Sequence, residues 1–263
     1  MLADHDPKPQ PIAGATDVLV HWPANLAGKN RDYLDLSRLD ALRPMRWTDD
    51  YLTLGALTTY WDVIRDARCT AEFPLLADAG RQVGAVQIQS RGTWAGNIVN
   101  ASPAADGVPV LMAYDAMVVL ESKAGTEEVR LDEFYSGYKV MRRRPDQLVV
   151  AIRIPRRTYD FQVFEKVGAR RAQAISKVGL AMTRADNRWR VIAAAVAPTI
   201  LRCRAVEAMI ESGAAVTGPE GLDAALAKDV SPIDDIRSTR EYRLRVLARL
   251  IYHDLRGVVP SFT

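Results

Sequence analysis

From Gly92 to Asp106 the chain reads GTWAGNIVNASPAAD, residue types suited to holding a ligand more than to covalent catalysis. Small residues such as Gly92 and Gly96 let a backbone come close to a ligand. The amides and hydroxyls of Asn97, Asn100 and Ser102 can then bind it. Asp106 closes the run, and an ionised carboxylate only accepts, which suits a ribose hydroxyl or a ring N–H better than a phosphate. A second turn, IAGATDVL at Ile12–Leu19, reads as a short strand, a glycine turn and a helix start with Thr16 and Asp17 as N-cap residues. Free amides at such a start point toward an anion. Alone it is an ordinary strand-to-helix turn. Two such loops about eighty residues apart suggest one extended, phosphate-bearing ligand closed between them.

Other chemistries find little support. Three histidines and no Ser–His–Asp pattern leave no hydrolytic centre, and no catalytic residue is assigned. His21, beside the first glycine turn, is expected on the surface. The two cysteines, Cys69 and Cys203, form no C-x-x-C pair, so neither a zinc site nor an iron–sulfur cluster is expected, and the free thiols suit the cytoplasm. There is no G-x-G-x-x-G and no P-loop; the GKN at Gly28–Asn30 lacks the preceding glycine. The formal net charge of +3 over 263 residues gives no argument for nucleic acid or membrane binding. No apolar run approaches the roughly twenty residues of a membrane span. Asn100-Ala101-Ser102 matches a glycosylation sequon, but no secretory signal accompanies it.

The elements that must position these loops are short and mixed. The pattern predicts a strand near Pro11–Ala13, a helix from about Asp17 and a strand near Tyr33–Leu36. A hairpin follows from Met45–Trp47 to Leu52–Ala56. Thr58 or Thr59 caps a helix over Tyr60–Ala67, and Pro74 opens another to about Val83. The Gly92–Asp106 stretch is too irregular for a long helix or a strand. Val108–Tyr114 should be helical, Ala116–Glu121 and Glu127–Leu131 strands, and Leu148–Ile154 a strand ended by Pro155. Around Pro155–Asp160 lies the expected domain boundary, separating residues 1–157 from 158–263. Beyond it a meander runs over Phe161–Val167, Ile175–Thr183 and Trp189–Ala197, with a turn at Ala185–Asn187. Three helices follow, near Arg204–Ser212, Pro219–Ala227 and Arg240–Leu255. In the last, Leu244, Leu247, Ile251 and Leu255 share one face, with Arg243, Arg245 and Arg249 elsewhere. Strands and helices without strict βαβ alternation make the fold class α+β. The arginine runs 142–144, 156–157 and 170–171 read as a solvated face, with a subunit interface as the sharper alternative.

The two glycine loops carry a family resemblance. The chain resembles the FAD-binding medium subunit of the molybdenum hydroxylases, the xanthine dehydrogenase and carbon monoxide dehydrogenase group. That family has an AGGTD-like loop, a TIGGN-xxNASPxxD-like loop, then an F-x-K…R segment. Here they stand as Ala13-Gly14-Ala15-Thr16-Asp17, as Thr93-Trp94-Ala95-Gly96-Asn97 running on to Asn100–Pro103 and Asp106, and as Phe164-Glu165-Lys166 with Arg170 and Arg171. Leu34–Leu39 and Leu54–Thr59 match as well. Ala15, Trp94 and Ala95 depart from the pattern, standing where the family has glycine, isoleucine and glycine. The benzoyl-CoA reductase branch carries an extra cluster in this subunit, and the cysteines for it are absent here.

The resemblance implies a two-subdomain FAD-binding domain of the PCMH type, followed by a three-stranded antiparallel sheet with three helices. It implies FAD held by Ala13, Gly14, Ala15, Thr16, Asp17, Thr93, Ala95, Gly96 and Asn97, with Ser102 and Asp106 farther along the cofactor. Leu148 would pack on the isoalloxazine, or simply in the core. Lys166 would stand beside the flavin's polar edge, or face solvent as most strand lysines do. The resemblance further implies an oxidoreductase complex: a molybdopterin-binding large subunit, a [2Fe–2S] small subunit passing single electrons, and NAD, oxygen or a quinone as acceptor. This subunit would be inactive alone. In the family a strand and a helix precede the first glycine loop, so the chain is expected to start late and to hold FAD weakly. A flavin-free scaffold and a self-contained flavin oxidoreductase are the alternative readings.

Overall fold

The computed structural model describes residue 2 and residues 4–20 and 32–263; His21 and Gly28–Asn30 lie outside the described residues. β1 (Gln10–Ile12) runs into the glycine turn and α1 (Thr16–Val20), and pairs in parallel with β2 (Tyr33–Asp35). Next come β3 (Met45–Trp47) and β4 (Tyr51–Gly55), the expected hairpin.

Four helices follow it. Thr59 caps α2 (Tyr60–Arg65) through a reciprocal box with Asp62. The helix stops two residues before the expected end because Asp66 takes extended backbone and caps α3 (Ala67–Glu72). Pro74 opens α4 (Pro74–Gln82), and α5 (Val86–Gln89) leads to the second glycine loop. That loop holds α6 (Trp94–Asn100) and ends at α7 (Gly107–Ala113).

β5 (Met117–Ser122) and β6 (Gly125–Arg130) form a second hairpin, and β7 (Tyr135–Gly137) and β8 (Val140–Met141) a third. β9 (Leu148–Pro155) then inserts between β4 and β5, giving an antiparallel sheet of order β3-β4-β9-β5-β6. Leu52, Leu54, Val118, Leu120, Ile152 and Ile154 alternate inward along its central strands and pack on Val63, Leu76, Ile98 and Leu111 of the helices. The β1–β2 pair with α1 and this larger unit are the two subdomains that flank the loops.

After Pro155 the chain enters β10 (Tyr159–Val167), then β11 (Val178–Ala185) and β12 (Arg188–Ala194). These are the three expected antiparallel strands; a two-residue β13 (Leu201–Arg202) adds an edge. Asp186 and Asn187 turn the hairpin with φ of +51° and +57°, a conformation these residue types tolerate. α8 (Arg204–Glu211), α9 (Asp223–Asp229) and α10 (Arg240–Leu255) cover one face. Val178, Leu180 and Met182 point to them, whereas Ala181, Ile192 and Ala194 point to α7 and join the core of the first part. β11 is therefore apolar on both faces, which hides its alternation in the sequence.

Arg243 stands off the Leu244–Leu255 apolar face of α10, but not in solvent. It is buried and donates to the carbonyls of Lys177 and Ala195 and to Asp235. The solvated-face expectation is corrected at Arg156, which is half-buried and engaged with Glu72 at 2.8 Å; Arg157 stays exposed and pairs with Asp115 at 3.2 Å. Arg170 and Arg171 are exposed, as read.

Candidate functional site

The first glycine turn packs on the second loop through bare backbone. A Cβ on Gly14 would stand 1.8 Å from the Arg91 carbonyl oxygen and 3.1 Å from the Gly92 nitrogen, so only glycine fits. Ala15 beside it has φ +58°, left-handed backbone that costs an alanine about 1–2 kcal/mol. A family glycine would avoid this cost, which explains the preference that this chain breaks. Ala13 is half-buried ahead of it.

The second loop is anchored from below. Tyr60 donates its backbone N–H to Gly92, and Trp94 donates to Thr58. Thr93 then takes extended backbone, and its Oγ1 accepts from the Gly96 N–H at 3.0 Å. This cap starts α6, a two-turn helix inside a stretch that reads as irregular. Ala101, at φ +49°, ends it. Among the described residues a Cβ on Gly96 would meet only Thr93 Oγ1, at 2.9 Å. Trp94 and Ala95, the departures from the family pattern, are both buried. The Trp94 ring lies 4.9 Å from that of Tyr60, and its Nε1 has no hydrogen-bond partner among the described residues.

Several predicted site residues hold the loops together. Asn97 Oδ1 accepts from the Gly107 N–H at 3.2 Å, opening α7, and Ser102 Oγ accepts from the Ala104 N–H at 3.3 Å. Asn100 donates to Asp17 at 2.8 Å, tying α6 to α1. Lys139, in the β7–β8 turn, donates to the Asn100 carbonyl at 2.6 Å and to its Oδ1 at 3.0 Å. No motif marks Lys139; only the folded topology brings it there.

Asp106 and Lys166 meet across the junction of the two halves of the chain. Lys166 Nζ lies 2.6 Å from Asp106 Oδ2 and 2.8 Å from the Gln82 carbonyl, and Ser176 Oγ donates to Asp106 Oδ1 at 2.6 Å. The Lys166 side chain is only 6% exposed, so it does not face solvent. Burial raises the Asp106 pKa, and the Lys166 ammonium opposes that rise. Leu148 starts β9 opposite Glu121 and is half-buried, in a strand that packs along α6. Among the described residues no cluster of histidines, cysteines and carboxylates could hold a metal ion.

The two anchored loops, the glycine backbone at Gly96 and the Asp106–Lys166 charge pair are thus brought together, and among the described residues no nucleophile or acid–base pair stands between them. Residues 1–157 match the family described as FAD binding domain in molybdopterin dehydrogenase, and residues 163–258 match the CO dehydrogenase flavoprotein C-terminal domain. The chain belongs to this flavoprotein family. Its cofactor is FAD, and it is a medium-subunit type of the molybdenum hydroxylases.

The chain is 28% identical over 256 residues to a xanthine dehydrogenase FAD-binding subunit of Escherichia coli O157:H7, covering 94% of this chain and 87% of the relative. It is 26% identical over 232 residues to a carbon monoxide dehydrogenase medium chain of Hydrogenophaga pseudoflava, covering 85% and 80%. A solved carbon monoxide dehydrogenase from Hydrogenophaga pseudoflava shares the fold with a TM-score of 0.83 at 24% identity, covering 97% of this chain and 90% of that one. Quinoline 2-oxidoreductase from Pseudomonas putida 86 also has the fold, with a TM-score of 0.83 at 20% identity and coverages of 98% and 93%. The α+β class and its layout of an FAD-binding domain followed by a three-helix, antiparallel carboxy-terminal domain are thus those of the family flavoproteins.

Proposed function

We propose that this flavoprotein is the electron-transfer subunit of a heteromeric molybdenum hydroxylase, with FAD lying between Gly14–Asp17 and Thr93–Asn97. The observation that carries this reading is the contact of Gly14 with the backbone of Arg91 and Gly92, which makes one surface of two loops distant in sequence. The residues present fit a dinucleotide. Gly14 and Gly96 offer main chain without side-chain bulk. Asp17 and Asp106 are already paired, with Asn100 and with Lys166 and Ser176, so phosphate does not meet two bare carboxylates.

FAD held by Gly14–Asp17 and Thr93–Asn97 would supply the redox chemistry between an iron–sulfur partner and NAD, oxygen or a quinone. The chain's own part is to bind and orient. Lys166, fixed by Asp106 and the Gln82 carbonyl, holds a positive charge at the junction of domains 1–157 and 158–263. Leu148 offers an apolar wall on β9. Substrate hydroxylation belongs to a molybdopterin-binding large subunit, and a [2Fe–2S] small subunit delivers the electrons; several relatives are named as subunits or chains of dehydrogenases and hydroxylases. The described residues include no helix long and apolar enough to cross a membrane, which agrees with a cytoplasmic complex.

Co-expression with neighbouring large- and small-subunit genes, followed by size-exclusion chromatography and flavin quantification, tests this. One FAD per chain and co-elution of all three subunits are expected, with no substrate-dependent flavin reduction by the isolated chain. Such reduction by the lone chain would overturn the subunit reading in favour of a self-contained oxidoreductase.

A further inference from the structure

Tyr60 occupies a position that neither glycine motif includes. It opens α2, directly beneath the second loop, and is only 3% exposed. A Cβ built on Gly92 would stand 3.1 Å from Tyr60 Cε2, the ring atom next to the phenol carbon, and 3.4 Å from Thr16 Oγ1. The hydroxyl end of Tyr60 thus reaches the seam where the first turn meets the second loop. The ring is fixed from the other side by Trp94 at 4.9 Å. Among the described residues the hydroxyl has no hydrogen-bond partner, yet it is not one of the polar atoms sealed from solvent.

A buried phenol whose O–H meets no protein acceptor forgoes a hydrogen bond that nearly every buried tyrosine makes. The nearby acceptors are already taken: Asp106 by Lys166 and Ser176, and Asp17 by Asn100. Burial, reinforced by the charges of Asp106 and Asp17, holds the phenol protonated far above its ordinary range. It therefore remains a neutral donor at the mouth of the seam.

We infer that the Tyr60 hydroxyl donates a hydrogen bond to the pyrophosphate of the dinucleotide held between the two glycine loops. The inference rests on the placement of FAD proposed above and adds a donor outside both motifs. A phenol suits the position because it supplies a donor without a competing charge, and its ring fills the space under Gly92 that any side chain on Gly92 would invade.

The test is Tyr60→Phe in the full chain, which keeps the ring and removes only the oxygen. Apo-protein melting temperature should be unchanged, because no protein hydrogen bond is lost. FAD titration by flavin fluorescence should show a dissociation constant raised about tenfold, the worth of one hydrogen bond to a charged oxygen at the lower end of its range. The phosphorus NMR signals of bound FAD should move relative to wild type. Equal affinities with unmoved phosphorus signals, in a wild-type protein that binds FAD, would overturn the role of Tyr60 alone. A lower apo melting temperature with unchanged affinity would reassign the hydroxyl to the fold. Failure of wild type to bind FAD at all would remove the placement and this inference together.

Discussion

Lys166 and Asp106 form a buried ion pair at 2.6 Å that joins β10 of the carboxy-terminal sheet to the end of the second glycine loop. With side chains only 6% and 14% exposed, neither charge has water as a substitute partner. Removing one leaves the other buried and uncompensated, which costs about 3–5 kcal/mol. Lys166→Met should therefore lower the urea midpoint sharply, and Asp106→Asn in the same chain should recover part of the loss. The sign with pH follows from Asp106. Its folded pKa is raised, so its contribution is most favourable at low pH and is lost as pH rises from the unfolded value of 3.8 through the folded one. Without the opposing ammonium that pKa climbs further. The gap between Lys166→Met and wild type should narrow on acidification, as read from denaturation midpoints across pH.

The contact of Gly14 with Arg91 makes a separate prediction about the two loops. Gly14→Ala forces a methyl to 1.8 Å from a carbonyl oxygen, so backbone must move, at about 1–3 kcal/mol or more. The seam should open, and FAD affinity should fall along with stability. Gly96 is different, because among the described residues a Cβ there presses only on a side-chain atom, Thr93 Oγ1 at 2.9 Å, and on no backbone. Gly96→Asp should leave the fold near wild type and abolish FAD binding by placing bulk and negative charge beside phosphate. Unchanged flavin affinity in a folded Gly96→Asp protein rules out the proposed placement.

What the sequence revealed and concealed divides along the range of the interactions. Local signals were legible. Thr59 and Pro74 mark helix starts through their own cap or ring, and α10 runs over the expected Arg240–Leu255. The family motifs located both glycine loops. α6 was missed because its Gly, Asn and β-branched residues are weak helix formers; the Thr93 cap and the burial of Trp94, Ala95 and Ile98 hold it. Lys166 was undecidable, and nothing marked the roles of Arg243 and Lys139, because partners of each lie tens of residues away. A lysine on a strand looks solvated until Asp106, sixty positions earlier, is folded against it.

Asp254 predicts a pH dependence of its own. It lies near the end of α10 close to Glu165, and its Oδ2 is buried with no hydrogen-bond partner among the described residues. Burial first, and the Glu165 charge second, lift its pKa from 3.8 to about 6. The folded state therefore holds this proton more tightly than the unfolded chain. The associated stability is complete below pH 3.8 and is lost as pH rises through about 6. Asp254→Asn should raise the urea midpoint near neutral pH, by on the order of 1 kcal/mol once the partial exposure of the group is discounted, and leave it little changed at acid pH. Midpoints that respond equally at both ends of the range contradict this assignment.

Arg243 tests how the carboxy-terminal helix supports the site from a distance. Its Nη1 donates to the carbonyls of Lys177 at 2.8 Å and Ala195 at 2.6 Å, and its Nη2 to Asp235 at 2.7 Å. One planar guanidinium thus ties α10 to the start of β11, to the end of β12 and to the loop before the helix. Lys177 adjoins Ser176, whose hydroxyl holds Asp106. Ala195 in turn donates to the Pro103 carbonyl of the second glycine loop at 2.7 Å. Arg243→Met should cost about 1–3 kcal/mol by leaving the Lys177 and Ala195 carbonyls without their donor, while Asp235 keeps Arg237 and the Ser238 N–H. Arg243→Lys should recover only part of this, since one ammonium cannot span the three acceptors in the geometry of the fork. In the folded fraction of either variant, FAD should bind more weakly than in wild type, because both Asp106 and Pro103 lose support. Flavin titration alongside urea denaturation reads the two effects separately. A variant that loses stability but keeps wild-type flavin affinity would confine Arg243 to the carboxy-terminal domain.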